Sequence, residues 1–137
     1  GAEVLEMGLQ HHDEVLAATS HLPHLLAYAL VDTLARMEEH DEIFSFAAGG
    51  FRDFTRIASS DPQMWHDICL ANRDAILKTL ARFSADLQAL AHAIETGDGG
   101  RILETFSRAK AARDDFCGRG AAVAQPGENP SNGRNPA

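Results

Sequence analysis

Two arginines, two histidines and a tryptophan are the side chains whose types and spacing could do chemistry in this chain. In residues 47–65, AAGGFRDFTRIASSDPQMW, Arg52 and Arg56 stand four apart and share one side of a helical turn with Asp53 beside them. Phe51, Phe54 and Ala58 share the other side, which can be buried while the arginine side faces a cleft. A guanidinium is a planar fork of donors, better matched to a carboxylate than a lysine is. In residues 11–32, Asp13, Ser20, His24 and Tyr28 line up along one side of a helix, with His21 near its edge. That polar stripe admits two readings, a solvated face with incidental histidines or the lining of a site. Other chemistries find no support. His21 and His24 flank Pro23 without a further His or Cys at ligand spacing, and His11, His12, His40, His66 and His92 form no cluster, so no metal site is expected. Ser20 has no orienting acid within reach of His24, and neither Gly49-Gly50 nor the GDGG at 97–100 fits a dinucleotide-binding fingerprint after a strand.

The elements that must position these groups are helices. Apolar positions Val15, Ala18, Leu22, Leu25, Leu26, Ala29, Leu30, Leu34 and Met37 predict a largely buried helix over residues 11–39. Pro23 interrupts its backbone bonding, strands the Thr19 carbonyl and should bend it at residues 20–24, beside the polar stripe. Residues 41–48 read as a short helix or turn. Gly49 and Gly50 are expected to take φ values that other residues avoid, letting the chain turn sharply. Asp61-Pro62 reads as an N-cap followed by proline at the first helical position, so two helices meet at residues 59–61 and aim Arg56 and Trp65. From there one long helix is expected over residues 62–96, with a seam of Trp65, Ile68, Ile76, Leu80, Phe83, Leu87, Leu90 and Ile94 that runs about 50 Å at ~1.5 Å per residue. The seam lies either against a second subunit or wholly within its own bundle. The GDGG run ends that helix, and residues 101–117 form a final amphipathic one. Residues 118–137, poor in groups to bury, read as a disordered tail. No strand-like alternation occurs, so the expected fold is all-α, a helical bundle with one kinked buried helix and one long helix.

Composition sets outer limits. The chain has 137 residues, enough for one domain over residues 1–117 but not for a nucleotide-binding unit beside a substrate domain of ordinary size. Its net charge of −8, without a basic cluster, excludes a nucleic-acid or anionic-membrane surface. Cys69 and Cys117 lack metal spacing and read as reduced thiols of a cytoplasmic protein. No apolar run reaches membrane-spanning length and no signal-peptide pattern is present. Gly1 in place of Met is what a piece of a longer chain, or a processed one, would show.

The stretches HDEVLAATSHLPHLLAYALVDTL (residues 12–34) and AAGGFRDFTRIASSDPQMWHDICLAN (residues 47–72) closely resemble the C-terminal helical domain of prephenate dehydrogenases, including the arogenate-using relatives. The resemblance covers residues 1–117, carried by SHLPH, GGFRDFTRIA and DPxMW in that order. It implies an oxidative decarboxylation in tyrosine biosynthesis. Hydride passes from the ring carbinol of prephenate to NAD or NADP, CO₂ leaves, and 4-hydroxyphenylpyruvate results. It also implies a homodimer formed by this domain. The cofactor site and the catalytic histidine would lie on an N-terminal Rossmann domain absent from this chain, so no residue here is expected to be catalytic. By the same resemblance Arg56 is expected to grip a carboxylate of prephenate, His24 to contact the side-chain end, and Trp65 to wall the pocket. Asp53 would pair with an arginine, with Gly49 and Gly50 letting the loop approach the partner subunit. Ser20, His21, Arg52 and Thr55 would support these contacts from behind. Tyrosine is a plausible inhibitor, sharing ring and carboxylate with the substrate. The alternative is a stand-alone helical regulatory module that binds an aromatic acid such as tyrosine without chemistry.

Overall fold

The computed structural model describes the backbone of residues 2–124 and the side chains of residues 8–119. Helix α1 (Ala2–Leu16) passes through one π turn (Ala17–His21) into α2 (Leu22–Ala35). There follow α3 (His40–Ser45), α4 (Gly49–Thr55), a 3₁₀ turn (Arg56–Ser59), α5 (Pro62–Ala71), α6 (Arg73–Glu95) and α7 (Gly99–Ala124). Among the described residues there is no strand, and the all-α expectation holds.

Pro23 explains the π turn. It has no N–H for the Thr19 carbonyl, and immediately before it the bonding slips by one residue, so that the Leu22 N–H reaches the carbonyl of Ala17. Leu16, His21 and Leu22 all keep helical backbone angles, so the chain continues as one irregular rod instead of breaking. In place of the bend expected at residues 20–24, the structure shows a π turn at 17–21, just N-terminal to the proline. The helix expected to be largely buried is not so in the single chain. Leu22, Leu25, Leu26, Leu30 and Leu34 of the apolar arc are half-buried, whereas Val15, Ala18, Ala29 and Met37 are exposed. The enclosed residues of this stretch are the small Ala17 and Ala27, outside that arc.

Two further expectations change. Gly49 and Gly50 begin α4 as ordinary helical residues after an extended Ala48, and among the described residues the only glycine with positive φ is Gly97. A helix start, not a sharp turn, is what the pair provides. The helix expected in one piece over residues 62–96 is interrupted at Asn72, whose backbone (φ −111°, ψ 37°) leaves the helical region. The break is local, because the Asn72 N–H still reaches Ile68 O at 2.9 Å and the Ile76 N–H reaches Asn72 O at 3.1 Å. As expected, Asp61 caps α5, its carboxylate accepting from the Gln63 N–H at 3.0 Å, with Pro62 next in line.

The chain divides into two compact units, Gly1–Asp86 and Leu87–Ala137. In the first, α2 is the hub, packing against the π turn, the 3₁₀ turn, α3 and α4. Ala17, Ala27, Trp65 and Ile76 are its buried apolar residues. In the second, α6 ends in a Schellman motif. The Asp98 N–H reaches Ala93 O at 2.8 Å and the Gly97 N–H reaches Ile94 O at 3.2 Å, with Gly97 at φ +70°. Asp98 then caps α7 by accepting from the Arg101 N–H at 3.0 Å. Helix α7 runs past Cys117 to Ala124, so the start expected for the tail is helical; residues 125–137 of that expectation lie outside the described residues. No described helix is long and apolar enough to cross a membrane.

Candidate functional site

The site is built around Trp65. Its position on α5 follows from the Asp61-Pro62 start, which places it in the first turn, where its N–H bonds to Asp61 O at 3.2 Å. The indole is 7% exposed. His24, one residue beyond Pro23, lies flat against it, the ring centroids 3.8 Å apart and the planes inclined by 17°. His21 meets the same indole edge-on at 5.9 Å and 77°. Stacked and edge-to-face arrangements are the two that aromatic quadrupoles favour. The indole Nε1–H is buried and finds no acceptor among the described residues. Burying a donor unpaired costs on the order of 1–3 kcal/mol, so a group that brings an acceptor is favoured there.

The polar stripe is therefore solvated only at Asp13, which is exposed, whereas Ser20, His24 and Tyr28 are half-buried and both imidazoles lie against the indole. His24 Nδ1 lies 2.8 Å from the carbonyl oxygen of Ser20, which can only accept, so Nδ1 carries a hydrogen, and in the neutral ring the lone pair is on Nε2. His21 Nδ1 instead accepts from the Asn72 amide at 3.2 Å. Burial lowers the His21 pKa below the ordinary histidine value, the neighbouring His24 lowers it further, and Asp13 works the other way.

Tyr28, next on the stripe, ties α2 to the junction between the 3₁₀ turn and α5 by donating its hydroxyl hydrogen to Ser60 O at 2.7 Å. Ser60 Oγ donates in turn to Ile57 O at 2.7 Å, closing the 3₁₀ turn on itself. Between α2 and α5 opens a largely apolar cleft of about 420 Å³, bordered by Leu25, Tyr28, Trp65, His66 and Cys69. At its rim His66 donates to Asp67 at 2.9 Å, and with Gln63 this hydrogen bonding holds the exposed Asp67 carboxyl below its usual pKa.

Arg56 opens the 3₁₀ turn, and that turn packs against α2, the helix that carries His24. Arg56 is an exposed residue. Arg52 and Asp53 are exposed on α4, which also packs against α2. The ion pairs among the described residues include none of Arg52, Asp53 and Arg56, so no intrachain pair joins Asp53 to either arginine. Gly49 and Gly50 stand at the start of α4, where an added Cβ would meet nothing within 4 Å. The structure thus brings His21, His24 and Trp65 into direct contact, and sets the elements bearing Arg56, Asp53 and the two glycines against α2. Thr55 turns inward on its own helix, donating to Phe51 O at 2.7 Å. Asn72 is the residue that sequence reasoning missed. Its signal was a poor helix former in the middle of an otherwise periodic run. No group of three or more His, Cys, Asp or Glu among the described residues could hold a metal.

Comparison with known proteins agrees with this architecture. The family described as prephenate dehydrogenase, dimerization domain, matches residues 9–108. Cyclohexadienyl dehydrogenase of Zymomonas mobilis is 44% identical over 115 residues, which cover 82% of this chain and 39% of that protein. Prephenate dehydrogenase of Bacillus subtilis is 40% identical over 114 residues, covering 82% of this chain and 31% of that protein. A crystal structure of prephenate dehydrogenase from A. aeolicus, in complex with hydroxyphenyl propionate and NAD+, matches with a TM-score of 0.71 at 40% identity, over 77% of this chain and 37% of that one. The chain spans between about a third and two-fifths of the length of these relatives.

Proposed function

This chain belongs to the prephenate dehydrogenase dimerisation-domain family, and on that premise we propose that it is the substrate-binding, dimer-forming part of an NAD(P)-dependent prephenate dehydrogenase. Residues 1–117 carry this role as one working domain. The proposed reaction is the oxidative decarboxylation of prephenate to 4-hydroxyphenylpyruvate, with arogenate as the related substrate and tyrosine as a product-like inhibitor. The nicotinamide cofactor, when bound, takes up the hydride; in this proposal its site lies mainly on the nucleotide-binding part of the enzyme, outside the family match. What this chain does is hold the acid.

One observation carries the reading: His24 is clamped flat on Trp65 by its bond to Ser20 O, which leaves Nε2 as the ring's free polar atom. A rigid aromatic wall with one oriented polar atom suits a ring compound that carries an oxygen-rich side chain. Arg56, exposed and outside every ion pair among the described residues, supplies the counter-charge for a carboxylate. A buried arginine–carboxylate pair is costly within a fold, whereas one completed by a ligand is well placed. Asp53, Gly49 and Gly50 are assigned to the face of α4 that meets the partner subunit.

In the enzyme that carries this domain, Arg56→Ala should weaken prephenate binding by about 2 to 3 kcal/mol, the scale of a lost charged hydrogen-bonding partner. Arg56→Lys should recover only part of it, since the ammonium cannot form the two-pronged contact. Steady-state kinetics with both variants tests this, and unchanged constants for Arg56→Ala would remove the residue from the site.

A further inference from the structure

His21 and His24 touch the same indole, yet their surroundings demand opposite tautomers. His24 must carry its hydrogen on Nδ1, because the Ser20 carbonyl at 2.8 Å can only accept. His21 faces a donor instead. The Asn72 amide nitrogen lies 3.2 Å from His21 Nδ1 and 3.0 Å from the backbone oxygen of Asp13. The Asp13 oxygen fixes the orientation of the amide, since a flipped Asn72 would set two oxygens against each other. With one hydrogen for each partner, the amide donates to both, and His21 Nδ1 is left as the lone-pair nitrogen. Asn72 can reach both partners because it sits where the chain leaves the helical region between α5 and α6.

We propose that Asn72 is a positioning residue of the aromatic-acid site: its doubly donating amide ties α1 to the π turn, holds His21 in the Nε2–H tautomer, and so sets the imidazole edge against the indole on which His24 lies. The assignment rests on the reading of His24 and Trp65 as substrate contacts. The charged and titratable groups that bear on His21 are Asp13 from α1 and His24 from α2. Replacing Asn72 by leucine keeps the bulk and removes both donors, so His21 loses the bond that favours its neutral ring. Replacing it by aspartate keeps the shape and reverses the polarity, drawing a proton onto Nδ1.

Long-range nitrogen–hydrogen NMR spectra of the full chain, with hydroxyphenyl propionate as the probe ligand, test the assignment. In the unsubstituted chain His21 should show hydrogen on Nε2 and His24 on Nδ1. The pH at which His21 takes up a proton should rise in the order Asn72, Asn72→Leu, Asn72→Asp. Hydroxyphenyl propionate should shift the His24 and Trp65 signals of the unsubstituted chain and bind roughly five- to tenfold more weakly to Asn72→Leu, the scale of one lost hydrogen bond. Hydrogen on His21 Nδ1 in the unsubstituted chain, a reversed order of protonation, or affinity within about twofold in Asn72→Leu would each overturn the assignment while leaving the substrate reading intact. Correct tautomers without any ligand-induced shift at His24 or Trp65 would overturn the substrate reading and the positioning role with it.

Discussion

At the scale of single residues, the unit Gly1–Asp86 is held by polar atoms that reach across the chain, and these were the least legible in the sequence. The stripe of Asp13, Ser20, His24 and Tyr28 could be drawn from helical spacing, but its purpose could not. What gives it meaning is contact with Trp65, some forty residues away in sequence, and the Tyr28 bond to Ser60 O. Asn72 showed in the sequence only as a poor helix former, and its role was hidden for the same reason, its partners being Asp13 and His21. Arg56 was legible as a type but its exposure was not. His21 yields a pH prediction. Its folded pKa lies below the ordinary value of about 6.5, so at acid pH the unfolded chain binds more protons than the folded one. The stability that this neutral ring contributes is therefore present above about pH 6.5 and is lost as pH falls from there through the folded pKa. Urea midpoints measured from about pH 7.5 down to about pH 5 should fall, and His21→Gln, whose amide does not titrate, should flatten that part of the profile.

At the scale of elements, local rules did well wherever the determinant was itself local. Asp61-Pro62 starts α5, and Pro23 disturbs its helix within a turn of the expected place. The GDGG run ends α6 with Gly97 in the left-handed region and begins α7 with Asp98 as cap. Glycine was read less well at Gly49-Gly50, where the chain enters a helix and uses none of the freedom that glycine offers. These differences predict unequal costs. Gly97→Ala should destabilise the chain by about 1 to 2 kcal/mol, because the left-handed backbone costs an alanine that much. Gly50→Ala, in helical backbone with open space around it, should be neutral or stabilise by up to about 1 kcal/mol. Thermal melts of the two variants should separate in that order, and equal midpoints would show that the Schellman turn is not strained by a side chain.

At the scale of the whole molecule, the seam along α5 and α6 divides by burial. Trp65 and Ile76 are enclosed, whereas Leu87 and Ile94 are 53% and 61% exposed in the single chain. The sequence left open whether that seam faces its own bundle or a second subunit. Exposed leucine and isoleucine at helical spacing favour the second subunit, in keeping with a family described by its dimerisation. Leu87→Asp combined with Ile94→Asp should convert a dimer to monomer in light scattering at micromolar concentration; an unchanged mass would place the interface elsewhere. Fold class was legible because helical periodicity needs no long-range knowledge, whereas the division into Gly1–Asp86 and Leu87–Ala137 depends on contacts that no local pattern encodes. That division has an optical consequence. The sole tryptophan and the sole tyrosine, Trp65 and Tyr28, both belong to the first unit, and the second holds only phenylalanine among its aromatic residues. Near-ultraviolet dichroism read in the tryptophan and tyrosine bands, and intrinsic tryptophan emission, will therefore report the melting of one unit alone, while amide dichroism reports both. A gap between those two curves would mean that the units lose their structure in separate steps.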